Sequence, residues 1–390
     1  MARIVVCGYM VRHPLAGNLM AYFHYLLGLH RLGHQVVYME ESGWPLSCYD
    51  PERQEHGEDP SIGLRIVQRL MEYSRLDIPL CYFHRESGQT WGMEPAEMRR
   101  MISGADLLLN VGGVCWHSDF LLCGRRALVD MDPFFTQIGR FASEGLDEYH
   151  VYFTYGANIG LPGCHIPTDG KTWRATVPPV VPDIWAENRL PAKVPGNAAF
   201  TTVANWNAYG TVEYQGALYG QKDKEFLGLG DLPGKTGQKL ELALSNADPD
   251  SARMLMLSGW SLVNGADVSK DIETYRKYIA ESRGEFTVAK NAYVKTNSGW
   301  FSDRSVCYLA SGRPVIMQDT GFSDWLPTGE GVLAFSTVDE ALACIEEVNG
   351  RYSTHCRTAR EVAEEKFSYR VVLPAMLDSI SENRATQASL

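Results

Sequence analysis

The sequence predicts an α/β protein built of two doubly wound domains that face each other. Short apolar runs alternate with helically spaced segments in both halves of the chain, a proline-rich stretch separates the halves, and 390 residues exceed the ~100 to 200 of one typical core.

The first half opens with residues 3–8, RIVVCG, an apolar run that ends in glycine and reads as a strand. The loop YMVRHPLAGN and the helically spaced LMAYFHYLLGLHRL follow, and then QVVYME as the next strand, which completes a β-α-β unit. Residues 43–60, with three prolines and many charges, read as a surface loop. ADLLLNVGG, RALVDMDP and EYHVYFTYG read as further buried strands that end in polar turns. These define a first domain over 1–180 and a proline-rich linker over 181–197. The second domain, 198–368, resumes the alternation. AAFTTVANW and KLELALS read as strands, DIETYRKYIAESR as a helix, EFTVAK and PVIM as strands, VLAF as another strand, and VDEALACIEEV and HCRTAREVAEEKF as helices. Residues 369–390 predict a last helix and a tail, the helix amphipathic enough to dock on another surface.

Composition narrows the function classes. Hydrophobic residues make up 45% and charged residues 21%, a soluble globular balance, and no run of roughly 18 apolar residues is present to span a bilayer. The opening MARIVVCGY is too short an apolar run for a signal peptide, which leads to an expectation of cytoplasmic residence. Nine cysteines without a CxxC pair read as reduced, apolar residues. A net charge of -11 argues against a nucleic-acid backbone as partner, because such binding rests on clustered Lys and Arg. The oligomeric state is left open.

Open α/β sheets bind ligands beyond the carboxyl ends of their strands, which nominates three groups of loops. In residues 8–18, Gly8 and Gly17 allow close approach of a substrate to the backbone, Asn18 follows, and His13 is the candidate proton acceptor for a hydroxyl. In GGVCWHSD the paired Gly112 and Gly113 precede His117 and Asp119, a histidine and carboxylate spaced for an oriented acid-base pair. Asp130 and Asp132 spell D-x-D, an alternative site for a divalent cation. In the second domain Lys290 follows a strand, Ser302 stands at a helix start, and Arg304 lies in its first turn, a set suited to a diphosphate. Asp303 favours the helix dipole there or accepts from a sugar hydroxyl. Gln318, Asp319, Thr320 and Gly321 form the turn after PVIM, where a bound sugar would be read.

With these residues in view, the chain resembles the nucleotide-sugar glycosyltransferases of the GT-B fold. The resemblance rests on the start ending in LHRLGHQVVYM, on YLASGRPVIMQDTG, and on GEGVLAFSTVDEAL. It implies two Rossmann-like doubly wound domains, an acceptor on the first, a nucleoside diphosphate sugar on the second, and a final helix that returns to the first. It further implies transfer to a hydroxyl or amine of a small-molecule, natural-product or glycan acceptor, with no metal and no cofactor beyond the donor. The chain departs from the resemblance at Gly299 and Cys307, where many retaining members carry glutamates. It departs again in the first loop, where Asn18 rather than histidine follows Gly17. A nucleotide-sugar epimerase, a metal-dependent transferase using Asp130 and Asp132, and a non-catalytic binding scaffold stand as alternatives.

Overall fold

A computed structural model describes residues 1–139, 145–186, 194–208 and 210–387, with side chains through residue 382. The chain forms two compact units. One comprises Met1–Gly160, Ile166–Val181 and Tyr369–Leu390, and the other Leu161–His165 and Pro182–Ser368. Part of the expected linker, residues 187–193, and the last three residues of the tail lie outside the described residues.

The first unit holds ten strands. They are β1 (Arg3–Cys7), β2 (Gln35–Glu41), β3 (Cys48–Asp50), β4 (Glu55–Gly57), β5 (Leu80–Phe83), β6 (Thr90–Trp91), β7 (Leu107–Val111), β8 (Arg126–Asp130), β9 (Val151–Thr154) and β10 (Trp173–Ala175). Eight form one sheet in the order β10-β9-β8-β7-β1-β2-β5-β6, all neighbours parallel except β5 and β6, while β3 and β4 make a separate antiparallel ribbon. The order reverses at β1 and β7, so the loops after these two strands flank the crevice where such sheets bind ligands. These are the loops that hold His13 and His117.

The helix Ala16–Arg31 starts earlier than its apolar periodicity suggests, because Leu15 after Pro14 already takes the extended N-cap conformation. Gly17 and Asn18 therefore lie in its first turn rather than in an open loop. The C-terminal helix Tyr369–Gln387 packs on the same helix. Gly28 is required at that contact: a Cβ there would stand 2.7 Å from Leu373 Cδ1 and 2.8 Å from Tyr369 Cβ.

The second unit holds β11 (Phe200–Asn205), β12 (Val212–Tyr214), β13 (Ala217–Tyr219), β14 (Leu240–Ser245), β15 (Ser261–Asn264), β16 (Gly284–Thr287), β17 (Val315–Gln318) and β18 (Val332–Phe335). Its parallel sheet runs β15-β14-β11-β16-β17-β18, and β12 with β13 form a ribbon. Here the switch point lies between β11 and β16. Phe200, Phe286, Ile316 and Phe335 from these strands meet Trp206, Phe226 and Trp260 in one buried cluster, so both faces of the sheet are covered, as a parallel sheet requires. EFTVAK is strand only through Thr287, and Lys290 becomes the N-cap of a short helix, Asn291–Lys295. No helix among the described residues is long and apolar enough to cross a membrane.

Candidate functional site

The second unit's switch point gathers the strongest electrostatic arrangement. Glu285 on β16 is buried, and its carboxylate takes the Arg304 guanidinium at 2.5 Å. Arg304 also donates to Val203 O at 2.8 Å and Thr287 Oγ1 at 3.0 Å, so each of its three nitrogens has a protein acceptor. Burial alone would lower the Arg304 pKa, and the carboxylate of Glu285 overrides burial and raises it. Three of the five Arg304 N-H donors are thus committed to the sheet, which fixes the guanidinium beside Glu285.

The surplus charge is carried by Lys222, at the start of the helix Lys222–Gly228. It is 7% exposed, and burial, reinforced by Arg304 and Lys290 and opposed by Glu285 and Asp303, holds its pKa well below the ordinary ammonium range. A cation destabilised in this way gains on meeting an anion. Lys290 stands at the adjacent strand end, its Nζ 5.2 Å from the centroid of the Tyr293 ring. Ser302 occupies the N-cap of the helix Asp303–Ala310, but its side chain makes no cap bond, and its hydroxyl is buried without a partner. Asp303 opens that helix, where its charge suits the dipole.

The two polar ends of SGWFSDRSVCYLASGRPVIMQDTGF are joined. Gly299 N donates to Thr320 O at 2.7 Å, and Thr320 Oγ1 donates to Trp300 O at 2.7 Å. Asp319 Oδ1 accepts from Gly321 N at 2.8 Å, and Gly321 takes the left-handed conformation, φ +86°, that closes the turn. Asp319 and Thr320 therefore hold the turn together, which corrects their reading as sugar contacts. Gln318 differs: its Nε2 donates to Glu225 Oε2 at 2.5 Å, and its Oε1 is buried without a partner.

In the first unit the loop after β1 is built on another buried pair. Glu40 Oε1 accepts from Arg12 N at 2.7 Å and Arg12 Nε at 3.2 Å, and Oε2 accepts from Val11 N at 2.8 Å and from the Tyr38 hydroxyl. The Arg12 guanidinium lies over the rings of Tyr9 and Trp44, 4.5 and 5.0 Å from their centroids. His13 stacks on Tyr9 at 5.7 Å and meets Tyr49 at 5.3 Å, and burial, with the nearby His56, lowers its pKa to about 4. It is neutral at pH 7 and a weak base.

The other residues nominated in this unit have packing roles. Asn18 Nδ2 donates to Tyr9 O and His13 O, tying the loop to the helix. Gly8 and Gly112 make room for Tyr22, since Cβ atoms there would stand 2.7 Å from Tyr22 Cδ1 and 2.8 Å from its hydroxyl. Gly112 and Gly113 both have positive φ, as the turn requires.

His117 Nδ1 stands 3.7 Å from Asp119 Oδ2, beyond hydrogen-bond distance. His117 Nδ1 accepts from Asp119 N, and the Asp119 carboxylate takes Arg99 at 3.0 Å. With Nδ1 acting as an acceptor, no Nδ1-H is left for a carboxylate to orient. His117 packs on Phe83, in a different cluster from His13, and lines a cavity of about 310 Å³ with Arg85, Trp116 and Tyr149. Asp130 is buried, and its oxygens accept from Thr136, Gln137, Thr154 and the Asp132 backbone N-H at 2.6 to 2.9 Å. Its lone pairs are occupied by protein donors, which removes the D-x-D reading, and no group of three or more metal-ligating side chains occurs among the described residues.

Sequence reasoning missed Lys222, Glu285 and Glu225. A glutamate within the apolar run EFTVA was a usable signal for the second of these.

Both units share the doubly wound architecture of the GT-B fold, and solved structures with that fold align over nearly the whole chain. They include an alpha-glucosyltransferase in complex with UDP and a 13-mer DNA (TM-score 0.61, 10% identity, 98% of this chain and 100% of that one). Anabaena HepE in complex with UDP and glucose aligns at TM-score 0.60 and 10% identity, over 98% and 100%. A glycosyltransferase involved in avilamycin A biosynthesis aligns at 0.58 and 13%, over 99% of each chain. No family model matches the sequence, and no curated protein matches it at the level of sequence.

Proposed function

We propose that this protein is a glycosyltransferase that moves a sugar from a nucleoside diphosphate sugar to a hydroxyl or amine of a small-molecule or glycan acceptor. One observation carries the reading: Lys222 is buried near Glu285, Arg304 and Lys290 at the second sheet's switch point and makes no ion pair with a carboxylate among the described residues. Lys222, Lys290 and the first-turn N-H groups of the helix Asp303–Ala310 would take the diphosphate, and Glu285 with Arg304 would hold the floor beneath it. Stabilising the departing diphosphate is the step such donors serve, at roughly 3 to 4 kcal/mol per well-placed donor. The proposed acceptor face is the first unit's aromatic group of Tyr9, His13, Trp44 and Tyr49, suited to stacking on a ring. His13, neutral at pH 7, would accept a hydrogen bond from the attacking hydroxyl there.

The likeness to structures that hold UDP supports UDP as the first nucleotide to try. Calorimetry against UDP, GDP, ADP and TDP compounds tests the reading; no binding by any of them to folded protein overturns it. Turnover unaffected by a chelator is expected, because no metal enters the proposed chemistry. DNA belongs in the acceptor panel because one of the similar structures contains it, and small-molecule and glycan acceptors are expected to outperform it.

A further inference from the structure

We infer that Glu225 sets the hydrogen-bond polarity of Gln318, so that Gln318 presents its carbonyl oxygen and selects a donor sugar with a hydroxyl at the position it faces. This rests on the donor-site reading above and goes beyond it, to the group that the site reads.

The argument starts from a backbone N-H, which can only donate. Gly220 N donates to Asn291 Oδ1 at 3.0 Å, which fixes the Asn291 amide and turns its Nδ2 toward Glu225 Oε1, 2.6 Å away. An ionised carboxylate is acceptor-only, so its second oxygen also requires a donor. Gln318 supplies it through Nε2 at 2.5 Å. The opposite orientation of Gln318 would set its carbonyl oxygen against a carboxylate oxygen at that same short distance, lone pair against lone pair. Amide orientation is thus dictated by the relay from Gly220 to Asn291, Glu225 and Gln318.

The relay leaves one atom over. Gln318 Oε1 is buried and has no partner among the described residues, and Gln318 ends β17 at the carboxyl edge of the sheet, where ligands collect. A buried carbonyl left unpaired is costly, and a hydroxyl donor relieves that cost, whereas fluorine or a hydrogen atom does not. Gln318 is the specificity-determining residue and Glu225 a positioning residue.

The experiment measures binding of UDP, UDP-glucose and the UDP-glucose analogues with fluorine in place of each sugar hydroxyl, by calorimetry on the full chain. Wild type is expected to bind one fluoro analogue roughly five- to tenfold more weakly than UDP-glucose, the loss of one hydrogen bond. Glu225→Gln turns its own Nε2 toward residue 318 and reverses the Gln318 amide, so discrimination against that analogue is lost while UDP binding is unchanged. The reciprocal swap, Glu225→Gln with Gln318→Glu, again presents an acceptor oxygen and restores discrimination, a rescue that a purely structural role would not give. An unchanged analogue ranking in Glu225→Gln, or equal weakening of UDP and UDP-glucose, overturns the inference alone. If neither UDP nor UDP-glucose binds wild type, the donor-site reading falls and this inference with it.

Discussion

Each unit places a buried arginine-glutamate pair at its switch point, and the two pairs are finished differently. In the first unit Glu40 accepts two backbone N-H groups, a tyrosine hydroxyl and Arg12, so its carboxylate is filled and fixes the loop after β1, while Arg12 Nη1 has no hydrogen-bond partner among the described residues. In the second unit Glu285 and Arg304 are joined by the buried Lys222, which makes no ion pair with a carboxylate among the described residues. The first is a brace. The second is a brace with charge to spare, and only the spare charge points to an anionic ligand.

The largest expected effect comes from removing the carboxylates. Glu40→Ala orphans a buried guanidinium and several donors and is expected to cost about 3 to 5 kcal/mol in urea unfolding. Glu285→Ala should cost a similar amount, but with a difference that separates the two sites: millimolar UDP raises the unfolding midpoint of the Glu40 variant as it raises that of wild type, and raises that of the Glu285 variant less. Equal responses would erase the distinction between brace and binding site. Next in size is Lys222→Met. It removes a charge-assisted bond to the nucleotide, worth about 1.5 to 3 kcal/mol or roughly 10- to 150-fold in UDP affinity. Because the lost charge was destabilised by burial, stability should hold or rise. A variant that binds UDP as wild type does would show that Lys222 is not the diphosphate cation.

The architecture was legible in the sequence, and the wiring of the site was not. Strands such as Arg3–Cys7 and Val315–Gln318 announce themselves as apolar runs bounded by glycine or polar turns, a local property. Strands Leu80–Phe83 and Ser261–Asn264, equally short, are not among the strands that the sequence predicts. The loops that hold His13, His117 and Lys290 could be nominated because strand ends are where function sits. Which side chains remain free in them depends on partners brought together by sheet order, and sheet order is not local. β11 lies beside β16, so Thr202 meets Glu285 across 83 residues. Arg304 looked available for the same reason: Val203, which accepts from its Nη1, lies 101 residues away in the chain.

Acid should affect the first unit through its buried histidines. Burial lowers His24 to about 3, and it lowers His13, helped by His56, to about 4. Both are neutral in the fold and bind protons in the unfolded chain once pH falls below about 6.5. Their contribution is complete above that value and is lost as pH falls toward 4 and then 3, because the unfolded state binds more protons. His24 Nδ1 accepts from Val181 N at 3.1 Å, so the test replacement is His24→Gln, whose side-chain oxygen can keep an acceptor near that site. Unfolding followed from pH 7 to 4 should show a shallower loss in His24→Gln than in wild type. An identical slope would mean that other groups govern the acid limb.

The smallest effect is the most specific to the second unit. Lys222 titrates low because burial and two neighbouring cations oppose its charge. A diphosphate placed against it reverses the local field and raises its pKa, so UDP binding is expected to take up a fraction of a proton at any pH between the empty and bound values. The sign follows: affinity falls as pH rises through that window, since the deprotonated site must acquire a proton to bind. Calorimetry in buffers of different ionisation enthalpy reads the uptake directly as a change in apparent heat, and Lys222→Met should abolish it. Arg304 stays charged throughout and contributes none. Proton release on binding, or uptake that survives in Lys222→Met, would place the titrating group elsewhere and remove the contrast between a brace and one with charge to spare.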